Sequence, residues 1–191
     1  MTLSSSELEA ALIAQAQRGD RQAYGELVRQ YYASVVNVAY RLCGDSDQAQ
    51  DATQEAFLKA WLNLPSFRPG TSLRNWLYRI AVNAALDALR RERKTIEAAP
   101  DDLPLTDPAN GPECELLQRE RVHLVRGALL SLPEASRAVL VLREYGELSY
   151  QEIATVLEIP IGTVMSRLNS ARAQLKRLLE AQRWSLEMEH V

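Results

Sequence analysis

Between Leu148 and Leu178 the chain carries side chains able to read nucleic acid, repeated at helical spacing. Thr163, Ser166, Arg167, Asn169, Ser170 and Arg172 share one helix face. Their hydroxyl, amide and guanidinium groups are the types that bond base edges and phosphates in a major groove. Val164, Leu168, Ala171 and Leu175 form the apolar stripe of the same helix. Ser149 and Glu152 make an S-x-x-E capping box that starts a shorter helix just before it, with Ile153, Ala154 and Leu157 inward. The small Ala154 lets a second helix cross closely. Ile159 to Thr163, with Pro160 and Gly162, ends the first helix and opens the second. The pattern predicts a helix-turn-helix; the plainer alternative is a helical hairpin with a solvated polar face.

Two other segments carry recognisable chemistry. In Asp51-Ala-Thr-Gln-Glu-Ala-Phe-Leu-Lys-Ala-Trp61 the inward positions are Ala52, Ala56, Phe57, Ala60 and Trp61, continued by Leu64. Asp51, Gln54, Glu55, Leu58 and Lys59 form the outer strip. An apolar Leu58 within that strip fits a partner-binding surface, although single exposed leucines are common. From Phe67 to Asn83 a loop of aromatic, basic and hydroxyl residues leads into a helix ending in Arg90, Arg91, Arg93 and Lys94. Interleaved aromatic and basic residues suit single-stranded DNA. The structural alternatives are that Trp76 and Tyr78 are core, the favoured reading for Trp76, and that the basic cluster complements a helix dipole.

No enzymatic constellation accompanies these segments. The chain has no Gly-rich phosphate loop, no nucleophile with a His base and no metal-ligand cluster, so no catalytic residue, metal or cofactor is expected. Asp47, Asp51 and Glu55 read as a solvated or protein-binding face. Cys43 and Cys114 lack a CxxC partner and read as incidental reduced thiols, and His123 and His190 are isolated.

The elements that must position these groups are helical almost throughout. A first helix is expected over about 6–17, stopped by Arg18-Gly19-Asp20. A second is expected over about 21–42, with Tyr24, Leu27, Val28, Tyr31, Val35, Val38, Ala39 and Leu42 on one face. Gly44 and Asp45 end it, and Asp45 or Ser46 caps a third helix reaching about Leu64. After the turn-rich loop 65–71, a fourth helix covers about 72–93, with Leu73, Trp76, Leu77, Ile80, Ala81, Ala84, Ala85 and Ala88 inward. Residues 99–112 contain four prolines and no basic residue, the composition of a linker that is extended or disordered when free. Helices resume over about 113–130, pause at Ser131 to Glu134 and run to about Tyr145. The fold class is therefore all-α: two small helical domains, 1–94 and 113–191, joined by an acidic, flexible, Pro-rich linker at 95–112.

Charge follows the same division. The 191 residues carry a net charge of −3, unusual for a protein that grips DNA alone, because phosphate neutralisation supplies most non-specific affinity. Residues 1–94 sum to +2, 95–115 to −6 and 116–191 to +1, so two near-neutral blocks flank an acidic segment. A weak intrinsic DNA binder that works with a large partner has this distribution. No run of about 18 apolar residues is present, and the polar, acidic N-terminus is unlike a signal peptide. A soluble, cytoplasmic protein without membrane insertion is expected.

Taken together, the three segments resemble the extracytoplasmic-function (group 4) sigma factors of the sigma-70 family, over about residues 8–180. Asp51 to Trp61 is similar to region 2.2, which implies that Asp51, Gln54, Glu55, Leu58 and Lys59 dock on the β′ clamp helices of bacterial core RNA polymerase. Phe67 to Asn83 and the residues to Lys94 resemble regions 2.3 and 2.4. That resemblance implies contact with the −10 element through Phe67, Arg68, Thr71, Ser72, Arg79, Asn83, Arg90, Arg91, Arg93 and Lys94. Tyr150 to Ala154 and Pro160 to Leu168 resemble region 4.2, implying −35 contacts by Tyr150, Thr163, Val164, Ser166, Arg167, Asn169, Ser170 and Arg172. The helices before them resemble region 4.1, and the β flap is the further polymerase contact implied. The resemblance also implies an anti-sigma partner, a linker threading toward the RNA exit path, and no obligate homo-oligomer. Many members have Arg where this chain has Met165, and aromatic or basic residues where it has Asn169 and Ser170. Either the −35 preference is unusual, or its contacts rest on Ser166, Arg167 and Arg172. A rival reading is a sigma-like decoy that sequesters an anti-sigma factor; retention of the basic cluster and of Arg167 and Arg172 favours the promoter factor.

Overall fold

The computed structural model describes residues 5–68, 70–98 and 124–189, the side chains of 5, 93–98 and 182–189 excepted. The described residues of the first domain form α1 (Ser5–Gln17), α2 (Arg21–Cys43), α3 (Ser46–Asn63), a 3-10 turn (Leu64–Ser66) and α4 (Leu73–Ala98). The starts of α2 and α3 have a local cause. Asp20 caps α2, its carboxylate accepting from the Gln22 and Ala23 N–H groups at 2.8 and 3.1 Å. Asp45 caps α3 in the same way through Asp47 and Gln48, which decides between the two candidate caps. Between those helices Gly44 takes φ +79°, the left-handed stop that glycine adopts at least cost, and its N–H bonds the Tyr40 carbonyl at 2.8 Å.

α3 packs against α4, and α2 packs against both, with α1 laid on α2. Alanine dominates the contact: Ala39, Ala52, Ala56, Ala60, Ala81, Ala84 and Ala85 are all 2% exposed or less. Such small side chains bring helix axes close and leave the larger Val35, Val38, Leu42, Leu64 and Leu77 to fill the ends and flanks. Gln17 ties α1 to the loop after α3, its amide donating to the Leu64 and Phe67 carbonyls at 3.0 and 2.9 Å. α4 continues to Ala98, several residues past its expected end near 93. Residues 90–97 are good helix formers, and the first proline after them is Pro100. The rest of the expected linker, 99–112, lies outside the described residues.

The second domain contains a helical stretch over 124–130, then α5 (Glu134–Glu144), α6 (Tyr150–Leu157) and α7 (Ile161–Glu189). α5 and α6 both pack on α7 around Val139, Leu142, Leu148, Ile153, Val164, Leu168 and Ala171. The two domains also touch. α5 lies on α2 and α6 lies on α4, and the buried Arg137 guanidinium donates to the Leu42 carbonyl at the C-terminus of α2, at 2.8 Å.

Leu168 is 1% exposed at the centre of the second domain, whereas Leu58 is 66% exposed on α3. Leu168→Ala should lower unfolding free energy by about 2–5 kcal/mol. Leu58→Ala should stay within about 0.5 kcal/mol of the parent. Urea denaturation followed by circular dichroism separates the two, and equal losses would contradict the assigned core.

Candidate nucleic-acid and partner interfaces

Three surfaces follow from how the helices are rotated. On α3 the buried Ala52, Ala56 and Ala60 turn Asp51, Gln54 and Leu58 outward. Glu55 and Lys59 are half-buried beside them and form an ion pair at 2.6 Å, and Glu55 also meets Arg91 of α4 at 3.1 Å. Hydrogen bonds from Lys59 and then Arg91 hold the Glu55 carboxyl below its ordinary range. Leu62, 75% exposed one turn after Leu58, extends the apolar strip. Sequence reasoning missed it, although the i, i+4 relation to Leu58 was the available signal.

The second surface runs from the loop after α3 along α4. Phe67 is not on it. The ring is 5% exposed and packs 5.1 Å from the half-buried Trp76, so the loop aromatic is core and unavailable for stacking on a base. Tyr78 is buried as well, while Trp76 lies against the core. Arg68, Thr71 and Ser72 are exposed, with the Thr71 hydroxyl donating to the Arg68 carbonyl at 2.7 Å. The Ser72 hydroxyl accepts from the Asn75 N–H at 3.3 Å, at the start of α4. Arg79, Asn83 and Arg90 then lie on one exposed face, spaced by four and seven residues. Arg90 pairs with Asp87 at 3.4 Å and approaches Glu134 of α5 at 3.9 Å. Arg79 pairs with Glu158 at 2.7 Å. The side chains of Arg93 and Lys94 lie outside the described residues.

The third surface is the helix-turn-helix. Both bonds of the capping box are present: the Ser149 N–H donates to Glu152 Oε2 at 2.8 Å, and the Glu152 N–H donates to Ser149 Oγ at 3.3 Å. α6 ends on Glu158 at φ +54°, in the left-handed region where glycine or asparagine is usual. Pro160 then precedes α7, and its carbonyl receives the Thr163 and Val164 N–H groups. Val164 is completely buried and cannot touch a base, which removes it from the contact set. Met165, Ser166, Asn169 and Ser170 are exposed, and Thr163 and Arg167 are half-buried beside them. Arg172 is exposed but pairs with Glu144 at 2.7 Å, a bond that raises its pKa. Half-buried Tyr150 lies 5.4 Å from the Arg143 guanidinium. The face is thus polar with apolar points at Ile161 and Met165.

Among the described residues no group of His, Cys, Asp and Glu could hold a metal ion, and no helix is long and apolar enough to cross a membrane. Cys43 is buried beside the domain junction, where burial first and Asp45 and Glu92 after it push the thiol up to about 11, against the influence of Arg137. It stays protonated near neutrality and is a poor nucleophile. Cys114 and both histidines lie outside the described residues.

Two family models match the chain: Sigma-70 region 2 over residues 27–95 and Sigma-70 region 4 over residues 123–175. It is 37% identical to RNA polymerase sigma-H factor of Pseudomonas aeruginosa, over 92% of this chain and 96% of that one. It is 33% identical to the ECF RNA polymerase sigma factor SigW of Bacillus subtilis, over 87% and 94%. With the ECF RNA polymerase sigma-E factor of Escherichia coli K12 the identity is 35%, over 89% and 93%. Among solved structures, CnrH in complex with the cytosolic domain of CnrY aligns at a TM-score of 0.69 and 29% identity, covering 91% of this chain and 98% of that one. The sigma factor RpoE of Bartonella quintana in complex with the anti-sigma factor NepR aligns at 0.66 and 26%, covering 82% and 96%.

Glu152 offers a test of the third surface. Bonds from Ser149, first its backbone N–H and then its hydroxyl, followed by the Asn75 amide, hold the carboxyl at about 2 instead of 4.5. A depressed carboxyl contributes stability that is complete above its unfolded pKa and is lost as pH falls through the folded one. The capping contribution should therefore be whole above about pH 4.5 and fade toward pH 2. Carboxyl-detected NMR titration should find Glu152 titrating below the other glutamates, and Ser149→Ala should move it back toward 4.5.

Proposed function

The chain belongs to the extracytoplasmic-function sigma factors of the sigma-70 family, and from that membership we propose that its two domains divide promoter reading between α4 and α7. As a sigma factor it is a non-catalytic initiation factor that directs RNA polymerase to specific promoters. α7 enters the major groove of the −35 duplex, with Thr163, Ser166, Arg167, Asn169 and Ser170 toward base edges and phosphates. Arg172 and Tyr150 serve the flanking backbone. α4 and the loop before it hold the melted −10 strand through Arg68, Thr71, Ser72, Arg79, Asn83, Arg90 and Arg91, with Arg93 and Lys94 continuing the basic run.

The observation that carries this reading is the capped helix-turn-helix, whose second helix opens with an exposed polar face over a fully apolar one. Each good bidentate base contact contributes roughly 1–3 kcal/mol of discrimination, and unstacking −10 bases consumes a similar amount. Net charge −3 leaves little non-specific affinity, so DNA and core polymerase must bind jointly. The exposed Leu58 and Leu62, flanked by Asp51, Gln54 and Glu55, fit a docking strip for the β′ clamp helices, and the second domain meets the β flap. An anti-sigma protein, such as the one in the RpoE complex, is a further partner for the same two domains. The acidic residues that follow α4 are directed toward the RNA exit path, where their carboxylates stand in for nucleic-acid phosphates.

Transcription with purified core polymerase on a promoter library tests the whole reading. Added protein should produce new start sites sharing −35 and −10 elements; neither binding to core nor initiation would point to a decoy. Arg167→Ala should lower specific transcription about 10-fold, the loss of one good base contact. Core binding should not change, and equal loss of both would refute its DNA role. Gln54→Lys with Leu58→Asp should weaken binding to core at least 10-fold with no change in melting temperature. Unchanged core affinity would remove the docking strip.

A further inference from the structure

Buried Val164, Leu168 and Ala171 fix the rotation of α7, which leaves Gly162, Met165, Ser166 and Asn169 exposed along its first turns. Two large apolar side chains interrupt this polar surface. Ile161 is 39% exposed and Met165 is 44% exposed. The other large exposed apolar side chains among the described residues, Leu8, Tyr32, Leu58 and Leu62, all belong to the first domain. Leu157, Ile159 and Leu175 pack against the core, whereas Ile161 and Met165 lie outside that cluster. The core accounts for neither. They stand one turn apart, and Asn169 stands one turn further along the same flank.

Gly162, between them in sequence, is a second sign. Its φ is not positive, and a Cβ placed there would meet nothing within 4 Å. Neither backbone conformation nor protein packing calls for glycine, which weakens a helix relative to alanine. Its missing side chain leaves bare helix surface beside Met165, where a base edge can come close. The surroundings also name the occupant. Two side chains offer far too little area for a protein partner, which needs about 800 Å² per side. Hydroxyls, an amide and Arg167 surround them. In a major groove the apolar group that base edges present is the C5-methyl of thymine.

We propose that Met165, with Ile161 beside it, is a specificity-determining residue that packs on thymine C5-methyl groups of the −35 duplex, while Asn169 pairs with adenine one turn further on. The proposal rests on the assignment of α7 to that duplex. Residues four apart lie about 6 Å apart along a helix, close to two base-pair steps of about 3.4 Å. Three side chains at this spacing meet alternate base pairs, and all three choose A·T over G·C. Ile161 and Met165 do so through the methyl, and Asn169 through a bidentate bond to adenine N6 and N7. A thioether suits the methyl, because its unbranched, polarisable chain adapts to the shape of the groove. The contact needs no charge, which fits a chain of net charge −3.

The test uses the full chain bound to core polymerase, and the duplex element that this holoenzyme selects from a library randomised around −35. Each thymine of that element is replaced in turn by deoxyuridine, which keeps every hydrogen-bonding group and lacks only the methyl. Promoter affinity should fall about four-fold at one or two positions, the loss of one buried methyl. Met165→Ala should keep the parent's melting temperature and lose a similar factor on thymine DNA. It should show no further loss when uracil replaces the thymine that Met165 reads. Uracil without effect at every position, or an element without thymine, would overturn the methyl contact. A loss caused by Arg167→Ala on the same DNA would then show that α7 still reads the duplex. An equal uracil penalty in the parent and in Met165→Ala would give the methyl to another residue and refute the proposal. A holoenzyme that selects no element, or that is indifferent to Arg167→Ala and to uracil alike, would remove the assignment of α7 and the methyl contact with it.

Discussion

Everything on the outside of this protein depends on a packing constraint inside its first domain. Ala39 on α2, Ala52, Ala56 and Ala60 on α3, and Ala81, Ala84 and Ala85 on α4 are buried where the three helices meet. Side chains of that size allow close approach only when they all face the seam. Rotating α3 by one position would drive Gln54 or Glu55 into a gap sized for a methyl group, with polar groups left unpaired. The rotation of each helix is thereby fixed, and with it the identity of every outward residue. Leu58 and Leu62 on α3, and Arg79, Asn83 and Arg90 on α4, are exposed because their alanine neighbours are not. The outward surface of α3 and α4 is in this sense the negative of the alanine seam.

What was legible in the sequence was local. The Ser149–Glu152 capping box, the glycine stop at 44 and the apolar stripe through Leu168 and Ala171 each rest on residues within a turn or two of one another, and each is found as read. Phe67 was less legible, because it sits where a polar loop meets the core and spacing alone does not say which side a ring takes; the nearby Trp76 ring settles it. For Val164 the spacing was right, since its place in the apolar stripe is where it is found, and only the family resemblance had put it among the base contacts. Leu62 escaped because the inward set of α3 was followed to Leu64 and its outer strip only to Lys59. The contact between domains could not be read at all, since Arg137 and Leu42 are 95 residues apart.

The same residues explain a chain with nucleic-acid chemistry but net negative charge. Its basic groups are matched internally: Arg91 and Lys59 share Glu55, Arg172 holds Glu144, and Arg79 holds Glu158. Most of these pairs are solvent-exposed, where an ion pair contributes about 0–1 kcal/mol and is screened by salt. They lower the attraction of the free chain for polyanions in general, yet they yield readily to a ligand that presents many phosphates in fixed geometry.

The interface between the domains is apolar at its centre, where buried side chains of both domains join in one cluster around Leu42, Tyr78 and Leu142, and charged along its edge. Arg137 crosses it as a buried guanidinium whose separation from the Leu42 carbonyl must be compensated by water. Separating the domains therefore exposes apolar surface as well as trading carboxylates for solvent, and a partner must supply the difference. On the proposed division of labour, seating the first domain on polymerase makes the second domain's search for a duplex element intramolecular, at an effective concentration set by the length of chain between them. On that reading, surfaces whose charges are matched internally gain their affinity for DNA in the assembled state.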